Sequence, residues 1–126
     1  MAGQSSAIEK YWAAHEATLI VVGTMHPGLT FPWFDGWHLT GTIAVDEVLY
    51  GHLASREIKF RLVCNCPCDP WPPLRLPRQF MEKGLWFLRP VDQLTWESSL
   101  RDCHYIGFGS LSQRSDFEHY IRLYKQ

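Results

Sequence analysis

The chain has 126 residues, enough for one domain with a single real core. Hydrophobic residues make up 46% and charged residues 20%, which excludes an intrinsically disordered chain. Twelve basic residues against 13 acidic ones leave a net charge of −1, so there is no electrostatic footprint for nucleic acid or an anionic membrane, and no apolar run reaches the roughly 18–20 residues that span a bilayer.

Residues 1–5 are expected to be disordered. Ser6 and Glu9 have the S-x-x-E spacing of a capping box, and Ile8, Tyr11, Trp12 and His15 follow helical spacing. A short amphipathic helix over 7–16 is predicted, with Tyr11 and Trp12 on its buried face. Residues 18–24, TLIVVGT, are apolar and β-branched, and read as a strand covered on both faces over part of its length. Gly23 marks a bulge or close packing there. Residues 26–36 hold two prolines and two glycines and are predicted to be an irregular loop carrying Phe31, Trp33 and Phe34.

The longest period-2 run is WHLTGTIAVDEVLYG, 37–51. Trp37, Leu39, Gly41, Ile43 and Val45 share one face, and His38, Thr40, Thr42, Ala44 and Asp46 share the other. The alternation slips near Asp46 and Glu47, which predicts a bulge or bend in a long strand. Residues 56–63 alternate again, with Ile58, Phe60 and Leu62 inward and Glu57, Lys59 and Arg61 towards water. The two runs form an antiparallel hairpin. Five prolines exclude helix or central strand from 64–79. Residues 84–89 are a further strand, 92–99 a polar loop, and 104–108 a last strand. The chain closes on a helix over 116–125, started by a Ser115–Glu118 capping box. Phe117, Ile121 and Tyr124 form its stripe, and Arg122 and Lys125 suit its dipole.

These elements make one domain over 1–126. The expected fold is mainly β: a small five-stranded, OB-like (Greek-key) β-barrel, with a short N-terminal helix and a C-terminal helix packed on it. An open antiparallel sheet with helices on one face is the alternative. Val22-Gly23, the run from Val45 to Gly51, and Gly84-Leu-Trp-Phe-Leu88 resemble corresponding segments of the netrin-like barrels, the fold of the tissue inhibitors of metalloproteinases. The resemblance covers about two thirds of the chain and implies a fold but little about activity; the chain looks more like the bacterial extracytoplasmic proteins without known activity that carry similar segments. Those inhibitors chelate a protease zinc through an N-terminal cysteine. Here the first cysteine is Cys64, so inhibition by that route is not supported.

Cys64, Cys66 and Cys68 alternate, and Cys103 stands beside His104. The leading expectation is at least one disulfide involving Cys103, with the pairing open. The alternative is a zinc or copper site on Cys64, Cys66, Cys68 and Cys103, or with His104 or His26 completing it. No HExxH spacing, G-x-S-x-G elbow or phosphate loop occurs, and no enzyme is expected. His26 and His104 are the two histidines with most claim to a role.

Exposed aromatic residues in loops mark interaction surfaces. Phe31, Trp33, Phe34 and Trp37, with Trp71 at the same rim, are therefore the candidate binding residues. The function expected is a non-catalytic protein- or ligand-binding module, exported and disulfide-stapled, with no cofactor, no nucleic acid and no membrane span. The alternative is a thiolate metal-binding protein that holds zinc or copper. Met1 opens no signal-peptide pattern, which leaves a cytoplasmic chain or the mature part of an exported one.

Overall fold

A computed structural model of the chain describes residues 7–34, 36–64, 81–99 and 107–125. The elements are α1 (Ala7–Glu16), β1 (Leu19–Trp33), β2 (Gly36–Tyr50), β3 (Glu57–Cys64), β4 (Gly84–Pro90), β5 (Thr95–Ser98), β6 (Phe108–Ser110) and α2 (Arg114–Tyr124). The protein is mainly β, with a helix near each end. β1 pairs with β2, β2 with β3, β3 with β5, β5 with β4, and β4 returns to β1. This closes a barrel-like ring of five strands and leaves β6 hung on β4. All pairs are antiparallel except β3 with β5. The outer edge of β4 is shared: its first residues pair with β6 and its last with β5.

The ring has a core on each side of its wall. Inside lie Leu19, Val21 and Met25 from β1, Leu39, Ile43 and Val45 from β2, Ile58 and Phe60 from β3, and Trp86 and Leu88 from β4. Trp86 meets Phe60 and Phe108 edge-on, with centroids 5.4 and 4.8 Å apart, and its indole N–H donates to the Gly23 carbonyl at 3.3 Å. Outside, Ile20 and Val22 of β1 and Leu85 and Phe87 of β4 meet Ala13, Ala14, Ala17, Phe117 and Ile121. The two helices therefore cover the outer wall where β1 and β4 pair. That is why the start of β1 is apolar at every position rather than alternating.

The irregularity expected at Asp46 is a bulge. Val22 faces Glu47 and Gly23 faces Val45, so Asp46 has no opposite number. A second shift follows at Leu49, and together they turn β2 so that Val48 packs inside while Leu49 and Tyr50 pack on the outer core. At Gly23 a Cβ would sit 2.5 Å from the Ala44 carbonyl oxygen, so the bulge needs glycine.

Several expectations are corrected. Residues 26–33 are strand rather than loop: β1 runs on to Trp33. Beyond Gly23 this strand has β2 as its only partner among the described residues, so Pro27 and Pro32 occupy an edge where alternate amides have no ladder partner. The expected polar loop 92–99 contains β5, a four-residue strand paired with β3 on one side and β4 on the other. The last strand begins at Phe108. Residues 104–106 of its expected range lie outside the described residues.

In α1, Ala13 and Ala14 form the buried face, whereas Tyr11 and Trp12 are exposed at 39% and 60%. The small residues allow close approach to the sheet, and Tyr11 instead lies along α2, 5.3 Å from Phe117 and from Tyr120. In α2, Phe117 and Ile121 are buried but Tyr124 is exposed. Ser115 does not cap α2, because a 3-10 turn over Leu111–Gln113, capped by the Ser110 hydroxyl, starts the helical path earlier. Glu118 pairs with Arg114 at 3.2 Å instead. Lys125 serves the other helix, donating to the His15 carbonyl at 2.8 Å and lying 4.7 Å from the Tyr50 ring centroid. The α1 capping residue Ser6 lies outside the described residues.

Candidate binding face and strand tip

The register sorts the side chains of the β1–β2–β3 sheet. Leu39 and Ile43 point into the ring, as do Ile58 and Phe60. His38, Thr40 and Thr42 therefore share the outer face with Lys59 and Arg61. The pairs Thr40–Arg61 and Thr42–Lys59 stand directly opposite each other, and His26 stands opposite Thr42 on the other side. Beyond these residues β1 and β2 continue as a ribbon to the turn after Trp33.

One break interrupts the ribbon. Pro27 faces Gly41 and Thr30 faces Leu39, so Gly28 and Leu29 together oppose Thr40. The Thr40 hydroxyl repairs the break, accepting from Leu29 N at 3.0 Å and donating to Leu29 O at 2.9 Å. A Cβ on Gly41 would lie 2.7 Å from the His26 carbonyl oxygen, so glycine permits the close strand approach there.

Past the break the outer side of the ribbon is aromatic. Phe31 stacks on the ring of His38, with centroids 5.2 Å apart and planes 17° apart. Trp33 meets Phe34 edge-on at 5.2 Å. Trp33 is 62% exposed and Phe34 96%, while Phe31 is 37% exposed. Three of the five candidate binding residues thus gather at one strand tip. Trp37 enters by register alone, opposite Pro32 and Cys64. Trp71 lies outside the described residues. Cys66, Cys68, Cys103 and His104 do too, and Cys64 is placed only as the last residue of β3. The disulfide and metal expectations thus fall largely on residues outside the described ones.

A groove of about 540 Å³ runs along the outer face below the tip. His26, Thr42, Lys59, Arg61, Asp92 and Thr95 are among its walls. Asp92 turns β4 into β5: its Oδ1 accepts from Leu94 N at 2.8 Å and Thr95 N at 2.9 Å. These two amides, with Arg61 as a further positive charge, hold its carboxyl below the usual range. Glu47 at the β2 bend is likewise lowered by the Arg114 guanidinium, 2.6 Å away. The alternation in β3 predicts a solvated face for Lys59 and Arg61. Only the pairing of three strands reveals that they line a groove with Thr42.

No family model matches the chain, and neither does any curated protein.

Proposed function

We propose that this protein is a non-catalytic binding module whose partner is another protein, engaged by the aromatic end of the β1–β2 ribbon. The observation that carries this reading is the exposure of Trp33 and Phe34 on a strand pair whose backbone is fixed by ladder and bulge. Such rings are costly to leave in water, and Trp and other large aromatics supply much of the energy of protein contacts. The partner engages side chains rather than adding a strand, because Pro27 and Pro32 and the Gly28–Leu29 bulge interrupt the open edge of β1. Cys64, the last residue of β3, stands opposite Trp37 in the register. The netrin-like resemblance, an exported location and a disulfide through Cys103 belong to this reading.

The test is affinity capture from native extract with three baits: wild type, Trp33→Ala/Phe34→Ala, and the control Leu123→Ala/Tyr124→Ala on the exposed side of α2. A protein held by wild type and control but lost by the tip variant is the expected result. Identical captures on all three baits overturn the assignment. Intact mass without reductant, before and after alkylation, tests the disulfide. Elemental analysis alongside it separates that reading from a zinc or copper site.

A further inference from the structure

We propose that the groove on the outer face of β1, β2 and β3 is a second binding site, taking the oxyanion of a small organic ligand between Lys59 and Arg61. Its volume falls within the range of about 300–1,000 Å³ that holds small ligands. Lys59 and Arg61 are two residues apart on one strand face, so their Cα atoms lie roughly 6.6–7 Å apart and their charges repel. Neither forms an ion pair with a carboxylate among the described residues. The Arg61 Nε is enclosed and has no hydrogen-bond partner there, a cost that would be relieved if the guanidinium turned out to meet an anion in the groove.

The acidic groups nearby are otherwise engaged. Glu97 stands opposite Arg61 in the parallel pair, but its Oε1 accepts from Arg89 Nε at 3.2 Å. Asp92 is the one carboxylate in the lining; the Leu94 and Thr95 amides hold it, and it feels the Arg61 charge without a salt bridge to it. Glu57 continues the β3 face beyond Lys59 without lining the groove. Two cations against one carboxylate leave the walls net positive. Thr42, between His26 and Lys59 in register, brings a hydroxyl, and Pro27 and Leu29 offer an apolar wall for the ligand body.

The site does not depend on the ribbon tip, and the experiment keeps the two apart. Backbone amide shifts are followed by NMR during titration with phenyl phosphate, phenyl sulfate and benzoate. Benzyl alcohol is the neutral control and hexaglutamate the peptide control. Saturable shifts at Thr42, Lys59, Arg61 and Thr95 are expected with at least one aryl anion, and the anion preferred identifies the ligand's head group. Lys59→Gln and Arg61→Gln should each weaken binding about tenfold, the value of one charge-assisted hydrogen bond. Trp33→Ala/Phe34→Ala should leave it unchanged. Lys59 is exposed, so its variant remains informative if Arg61→Gln folds poorly. Absence of saturable shifts, equal binding of benzyl alcohol, or full affinity in Lys59→Gln overturns the site. Binding of hexaglutamate alone overturns the small-ligand assignment in favour of an acidic peptide.

Discussion

Thr40 sits on the outer face of a central strand, where any β-branched residue would satisfy the pleat. Its hydroxyl matters because two residues of β1 oppose it and leave the Leu29 amide and carbonyl outside the ladder. Thr40→Val keeps the shape and removes both bonds. It should cost about 1 kcal/mol in chemical denaturation and speed amide exchange at Leu29, while exchange in β4 stays slow. Glu47 and Asp92 act through charge. Both have folded pKa values below the ordinary ones, so their stabilisation is present above the unfolded value and is lost as pH falls through the folded value. The melting temperature should therefore fall on acidification below the ordinary Glu value of 4.5, and the fall should be shallower in Glu47→Gln/Asp92→Asn. An equal slope in the double variant would show that other carboxylates carry the acid limb. His26, Lys59 and Arg61 were each visible in the chain, but nothing local marks them as neighbours. Their proximity is a property of register.

At the scale of elements, α2 illustrates how a correct stripe can be partly misplaced. Phe117 and Ile121 are buried on Leu85, Phe87 and the α1 alanines, and Tyr124 lies one turn beyond the covered wall. Phe117→Ala should destabilise by about 3–5 kcal/mol, read as a lowered denaturation midpoint, and Tyr124→Ala by less than about 0.5 kcal/mol. Deleting 116–126 removes both anchors and should cost roughly 3–6 kcal/mol of burial, a large part of the stability of a small domain. An unchanged melting temperature would mean that the helix is not docked. β1 gives the converse lesson. Its prolines and glycines argue against strand on composition, and the strand exists because its far half needs only one neighbour. The tip variant Trp33→Ala/Phe34→Ala should melt within a few degrees of wild type, since rings so exposed contribute little to folding.

At the scale of the molecule, the chain by itself determined the class of the fold, the long bent β2, the β2–β3 hairpin and a helix near each end. These follow from periodicity, β-branched content and bulge signals, which are local consequences of side-chain alternation and helical spacing. The aromatic group Phe31, Trp33 and Phe34 was also legible, because unusual residues stand out in any order. Tertiary structure alone decided that β1 extends to Trp33, that Thr95–Ser98 is a strand, and that β3 and β5 run parallel to close the ring. It also decided which helix residues are buried and which polar residues share the groove. The physical reason is common to all of these. A short segment with modest propensity takes its conformation from the neighbours that pair with it, and a side chain's surroundings are set by strands distant in sequence.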